Sequence, residues 1–155
     1  MPEFEITEVA ETPYAYVEKS CSMDPDDIGR AMGEAFGEVW GVMQQQEIAP
    51  AGGGLSVYHT YDEDRMTFRV GFVIGRQDMA RTAGNVKADV TPAGRVVRFV
   101  HKGPYRTLRD DYGAMTGFIA GKGLTMGAPA WEVYLNDPDM VPEDELLTEV
   151  FVTLA

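Results

Sequence analysis

The run Trp131-Glu132-Val133-Tyr134-Leu135 sets a carboxylate and a phenol two residues apart in a strand-like segment. Neighbours on a strand point to opposite faces, so Glu132 and Tyr134 share a face whatever sheet they join. Trp131, Val133 and Leu135 are bulky and apolar and are expected under a helix, which leaves Glu132 and Tyr134 on a cleft side. The same parity sends Leu55 and Val57 to the core, with Ser56 and Tyr58 on the cleft side. Near the C-terminus it turns Val150, Val152 and Leu154 inward and Phe151 towards the cleft. The expected site is Glu132 flanked by Tyr134, Tyr58 and Phe151. A carboxylate among aromatic faces attracts a lipophilic cation through charge pairing and ring quadrupoles, about 0.5–2 kcal/mol per ring. In an apolar cleft such a carboxylate also holds its proton more tightly and suits a general base, with Tyr134 or Tyr58 as hydrogen-bond donor.

Other chemistry is thin. His59 and His101 are far apart and belong to no spaced ligand set, so no metal site is expected. His101 reads as the end of a strand rather than a general base. Gly52-Gly53-Gly54 precedes a strand, not a helix, so it is no phosphate cradle, and no cofactor fingerprint occurs. Asp110-Asp111 reads as a solvated helix face, and the nine methionines as fillers of irregular core gaps.

The elements that carry these residues follow from periodicity. Phe4 to Val9 and Pro13 to Glu18 alternate as strands. Asp24-Pro25-Asp26-Asp27 opens a helix, with a capping aspartate, proline at the first position and two carboxylates at the positive dipole end. Its apolar stripe of Ile28, Met32, Ala35, Phe36, Val39 and Met43 extends it to about Gln46. Ala49 to Gly54 reads as a loop, and Leu55–His59 and Thr67–Ile74 as strands joined by a polar turn at Asp62-Glu63-Asp64. Phe68, Val70, Phe72 and Ile74 share one face of the second. A short strand is expected near Val86–Val90 and another over Arg95–Lys102. A helix then opens at Gly103-Pro104, striped by Leu108, Tyr112, Met115 and Ile119, before a Gly-rich loop over 121–127 and strands at 131–135 and 147–154.

The programme therefore runs twice. The stripe that starts at Ile28 recurs at Leu108, and Val70-Gly71-Phe72-Val73-Ile74 recurs as Val150-Phe151-Val152-Thr153-Leu154, both at an offset of 80 residues. A half of that size buries too little surface to stand alone, so the expectation is one domain over 1–155, with repeat one about 1–80 and repeat two about 90–155. The fold class is α+β, with duplicated β-α-β-β modules in pseudo-two-fold symmetry, antiparallel sheets each covered by one helix, and a ligand cleft between the halves.

Composition narrows the partners. Of 155 residues, 45% are hydrophobic, enough for one sizeable core. With 25 Asp+Glu against 13 Lys+Arg the net charge is −12, which repels phosphate backbones and anionic lipid. No direct nucleic-acid partner and no membrane are expected, whereas cationic partners fit. A single Cys21 excludes an internal disulfide and suits a reducing compartment, and the acidic N-terminus is no signal peptide. The expected location is cytoplasmic.

Phe99-Val100-His101-Lys102-Gly103-Pro104-Tyr105 resembles the strand-to-helix signature of GyrI-like domains. Trp131-Glu132-Val133-Tyr134-Leu135-Asn136-Asp137-Pro138 and Leu147-Thr148-Glu149-Val150-Phe151-Val152 resemble their C-terminal signature. The resemblance covers nearly the whole chain and implies tandem SHS2 modules, as in bacterial effector-binding domains of multidrug-responsive regulators. The family's central glutamate maps onto Glu132, and the Gly-Pro-Tyr segment adds Tyr105 to the ligand-binding set. Relatives also include a gyrase-inhibiting protein and hydrolases that open reactive cyclopropane rings. The regulators carry a helix-turn-helix domain; only a few residues precede the first expected strand here, so their transcriptional role is not expected to carry over. Three functions are thereby implied. The first is stand-alone binding of bulky aromatic, often cationic compounds, as a multidrug-type sensor or sink. The second is hydrolysis of cyclopropane-bearing electrophiles with Glu132 and Tyr134 as catalytic residues, and the third a gyrase-inhibitor-like protein–protein contact. Binder and hydrolase would use the same carboxylate and aromatics.

Overall fold

In the computed structural model, residues 2–61 and 65–155 are described. The strands are β1 (Glu5–Val9), β2 (Pro13–Ser22), β3 (Pro50–Tyr61), β4 (Arg65–Ile74), β5 (Lys87–Val90), β6 (Gly94–Lys102), β7 (Met126–Tyr134) and β8 (Leu147–Leu154). The helices are α1 (Pro25–Gln45) and α2 (Leu108–Gly121), with short 3-10 turns at Arg76–Arg81, Tyr105–Thr107 and Glu143–Glu145. The expected turn at Asp62-Glu63-Asp64 lies outside the described residues. The architecture is α+β, with antiparallel strand pairs.

Contacts divide the chain into two compact units, residues 11–92 and residues 1–10 with 93–155. In the first, β4 pairs with both β2 and β3, and β5 pairs with β2 as an edge strand. In the second, β8 pairs with both β6 and β7, and β1 pairs with β6 as the edge. Each unit thus has a β-α-β-β core plus one edge strand. The edge strand follows that core in the first unit and precedes it in the second. Residues 2–9, expected to open the first repeat, serve the second. Phe4 supplies the reason: its ring meets Phe99 at 5.3 Å and Phe118 at 5.4 Å, so the N-terminus is anchored in the second core.

Helix α1 starts where its cap dictates. The Asp24 side chain accepts from the Asp26 amide at 2.9 Å, and Pro25 takes the first helical position. Replacing Asp24 with Ala should lower stability by about 1 kcal/mol, read as a shift in denaturation midpoint at unchanged slope. The buried side chains of α1 are Ala35, Val39 and Met43, packed with Ala15, Val17, Phe68, Val70 and Ile74. In the second unit Leu108, Met115 and Ile119 of α2 pack on Val97, Phe99, Val150 and Val152. Ala35 and Val39 stand to Met115 and Ile119 at the 80-residue offset seen in the sequence.

The glycine run expected as a loop is instead part of β3. A Cβ on Gly54 would lie 2.9 Å from the Phe36 ring, so a bare backbone lets α1 lie close over the strand. Strand glycines often mark such an approach, and the register of β3 on β4 is irregular between Pro50 and Gly54.

Candidate functional site

Register places Glu132. On β7 it stands opposite Val150 of β8, which is fully buried beneath α2. Ala130, two residues back, packs against the same core. Side chains 130, 132 and 134 therefore point towards α2. From that helix Tyr112 reaches down, and its hydroxyl donates to Glu132 Oε2 at 2.6 Å. The Tyr134 hydroxyl donates to Oε1 at 3.0 Å. Glu132 is only 6% exposed.

Two phenol donors, one on each oxygen, fix the plane of the carboxyl group. Tyr105 extends the aromatic surround: its ring meets Tyr134 edge-on at 5.7 Å and 69°, and it is 41% exposed. Burial pushes its phenol up, with the carboxylates of Asp137 and Glu132 adding to the effect. Glu132, Tyr134, Tyr105 and Tyr112 form one cluster within one unit.

The expected orientation of β7 is reversed. Trp131 stacks on Phe151 at 5.2 Å and 15°, on the sheet face away from α2. Phe151 is therefore not beside Glu132, and Trp131 and Val133 do not lie under the helix; Leu135 is 48% exposed. The reason is that Trp131 and Glu132 are both buried, so the strand is covered on both sides. Alternation then separates two sets of side chains without saying which set meets the helix.

β3 is reversed in the same way. Tyr58 stacks on Phe68 at 5.8 Å and packs with the α1 core, while buried Leu55 and Val57 take the other parity. Ser56 is fully buried and donates to the Tyr58 hydroxyl at 2.9 Å. Its place is instructive. Ser56 pairs with Val70 as Glu132 pairs with Val150, and Tyr58 with Phe68 as Tyr134 with Thr148. The two units thus hold the same two-residue station, with serine and tyrosine in one and glutamate and tyrosine in the other.

Tyr112 was legible in sequence only as part of a helical stripe. The available signal was chemical: a tyrosine in an apolar stripe brings a hydroxyl that needs a buried partner. Asp111, read as solvated, instead contacts the buried ring of His101. The described residues contain no cluster of three or more His, Cys, Asp or Glu side chains placed to hold a metal. No described helix is long and apolar enough to cross a membrane. A polar hollow of about 370 Å³ lies in the other unit, lined by Tyr16, Glu18, Lys19, Arg69 and Lys87 among others, and does not include Glu132. There Arg69 bonds Asp89 at 2.6 Å and the Tyr14 hydroxyl at 3.0 Å.

A family model described as a GyrI-like small molecule binding domain matches residues 2–155. Among solved structures, the chain is similar to the EcmrR C-terminal domain at 19% identity and TM-score 0.81, covering 100% of this chain and 98% of that one. It is similar to SAV2435 bound to tetraphenylphosphonium at 12% identity and TM-score 0.65, covering 99% and 94%. It is also similar to a hydrolase encoded by lin2189 from Listeria innocua at 14% identity and TM-score 0.64, covering 99% and 92%. No curated protein is detectably similar in sequence.

Proposed function

The chain belongs to the GyrI-like small-molecule-binding family, and from that premise we propose that it binds bulky aromatic, often cationic molecules with Glu132 as the counter-charge. The observation that carries this reading is a buried carboxylate oriented by two phenols, with a half-exposed tyrosine beside it. Holding an anion this way before a ligand arrives lowers the ordering cost of binding. It also favours cations over neutral compounds of equal shape. SAV2435, a similar structure, was solved with tetraphenylphosphonium bound, which makes that cation a suitable probe.

The test is a calorimetric titration of tetraphenylphosphonium and of neutral triphenylphosphine oxide into the protein. Tighter binding of the cation is expected. Equal affinities would remove the charge preference, and absence of binding by either would remove the reading.

A second reading, hydrolysis of a strained electrophile, is favoured by one feature. Glu132 lies beside two phenol donors, which could hydrogen-bond the charge that develops on an opening ring, and one similar fold is a Listeria innocua hydrolase. Glu132 would take a proton from water as its oxygen attacks a cyclopropane carbon; the strained C–C bond breaks, and its electron pair is taken up in the same molecule and protonated, so that nothing leaves. Mass spectrometry of a cyclopropane-bearing electrophile after incubation decides it. Product with one added water is the expected sign.

A further inference from the structure

Arg69 leaves one edge of its guanidinium without a protein partner. It lies on β4 between Phe68 and Val70 of the α1 core, so its side chain takes the opposite sheet face. Nη1 donates to Asp89 Oδ2 at 2.6 Å and to the Tyr14 hydroxyl at 3.0 Å, and the guanidinium carbon lies 4.3 Å from the centre of the Tyr16 ring. Nε is buried and has no hydrogen-bond partner among the described residues, and Nη2, which points the same way, donates to none of them. An arginine presents Nε–H and Nη2–H as one side-on fork, the edge that takes a carboxylate by two parallel bonds. In Arg69 that fork is open.

The other unit shows the same edge closed. Arg98 on β6 and Glu149 on β8 stand where the first unit has Tyr16 and Arg69. Arg98 pairs with Phe151 as Tyr16 pairs with Gly71, and Glu149 pairs with Val100 as Arg69 pairs with Glu18. Arg98 Nε donates to Glu149 Oε2 at 2.6 Å, and Arg98 Nη2 contacts the same oxygen. There the chain supplies its own carboxylate to the fork. In the first unit the arginine stands on β4 with a tyrosine on the neighbouring strand, and no carboxylate of the described residues fills the fork.

Arg69 also lines the polar hollow of about 370 Å³, together with Tyr16, Val17, Glu18, Lys19 and Lys87. Strand lengths account for the hollow: β5 starts at Lys87, opposite Tyr16, whereas β2 continues to Ser22, so its edge is uncovered beyond that pair. Lys19 is held by Glu38 of α1 at 3.5 Å, and Asp89 takes only Nη1 of Arg69. Lys87 has no ion pair among the described residues, and Glu18 is the exposed carboxylate of the wall that likewise has none. What is left for an external group is therefore a cation at Lys87 and an unfilled fork at Arg69. The volume lies near the lower end of ligand pockets, which run from about 300 to 1,000 Å³. It suits an organic molecule of about one ring rather than an inorganic ion, and Tyr16 and Val17 offer it an apolar wall.

We propose that this hollow binds a small organic carboxylate, with its two oxygens on the side-on fork of Arg69, as Glu149 sits on Arg98. Lys87 answers the same charge from the rim, and the organic part lies against Tyr16 and Val17. The site belongs wholly to residues 11–92 and selects the charge opposite to that proposed for Glu132, so it stands or falls independently of that reading.

Benzoate is titrated into the isotope-labelled full chain, with neutral benzamide, of nearly the same shape, as the control. Backbone amide and arginine Nε–H signals are followed by nuclear magnetic resonance. Benzoate should move the Arg69 Nε–H signal and the amides of residues 16–19 and 85–87, with a Kd in the millimolar range usual for so small a ligand. Benzamide should leave them nearly in place. Two exposed charges test the sign without touching the core. Lys87→Gln should weaken benzoate by about two- to fivefold, and Glu18→Gln should strengthen it by a similar factor, the scale of exposed charge pairs. Arg69→Lys keeps the charge and removes the fork, and should weaken benzoate by about tenfold or more. Circular dichroism checks the folding of that variant, because Arg69 also holds Asp89 and Tyr14; should it not fold, the wild type and the two exposed variants decide. Equal shifts with benzamide, an Arg69 Nε–H signal that benzoate leaves unmoved, or exposed variants that act in the same or the reverse direction overturn the proposal. So does a folded Arg69→Lys protein of unchanged affinity.

Discussion

Glu132→Gln should cost the protein most of its affinity for a lipophilic cation and little of its affinity for a neutral aryl compound. Carboxamide keeps the size of the side chain and removes the charge. Losing one partner of a buried charge pair costs on the order of 2–5 kcal/mol, since the cation would then enter the site unpaired. For a neutral compound the change should stay below about 1 kcal/mol, as expected when shape and apolar contact are preserved. Titration of tetraphenylphosphonium and triphenylphosphine oxide into both proteins measures the difference directly. Parallel losses for the two compounds would mean that Glu132 shapes the site without selecting charge.

The same variant reports on chemistry. Were the protein a hydrolase, the carboxamide could not serve as the base, and turnover should fall by about 10²–10⁴ while product still binds. Folding stability is a separate readout. One of the phenols of Tyr112 and Tyr134 would have to turn to accept from the amide, and a buried charge would be gone. These effects oppose one another, because a buried charge is costly to keep. A ligand-free melting temperature near that of the wild type is therefore expected, so weaker cation binding would not reflect unfolding.

Gly71→Ala should abolish the fold or cost more than about 4 kcal/mol, the range reserved for backbone and core disruption. Gly71 lies in β4 opposite Tyr16 of β2, between Val70 and Phe72 of the α1 core strand. A Cβ placed there would stand 1.7 Å from the Ala15 carbonyl oxygen and 2.9 Å from the Tyr16 Cα. Both atoms are backbone, so no side chain can turn aside. The β2–β4 ladder would have to part, and Ala15, Val17 and Val70 would leave their core positions. Gly33→Ala is the control: it sits within α1 with nothing within 4 Å of the new methyl. That change should stabilise by up to about 1 kcal/mol through helix propensity. Urea denaturation of the two variants gives the comparison, and a folded Gly71→Ala protein of near wild-type midpoint would contradict the packing described.

Sequence alone determined the two helices, most of the strands and the 80-residue repetition. Asp24-Pro25 set the start of α1, because a cap and a fixed proline angle act within a few residues. The stripes from Ile28 and Leu108 set which helix faces are buried, and the 80-residue offset related Ala35 and Val39 to Met115 and Ile119. Parity paired Glu132 with Tyr134 on one face, since the two-residue period of a strand holds in any sheet. These are local properties, carried by neighbours in the chain.

Tertiary structure decided everything that depends on a second element. The helix-facing side of β7 could not be read from alternation, because Trp131 and Glu132 are both buried and only contact with Tyr112 and Phe151 tells the faces apart. Gly52, Gly53 and Gly54 read as loop because glycine disfavours strands locally, yet the approach of Phe36 favours a bare backbone there. The assignment of β1 to the second unit follows from where Phe4 finds aromatic neighbours, about a hundred residues away. Asp111 looked like any solvated helix carboxylate until β6 brought His101 against it. Long-range pairing selects among local options that the chain leaves equal, and in this protein that selection places the buried charges.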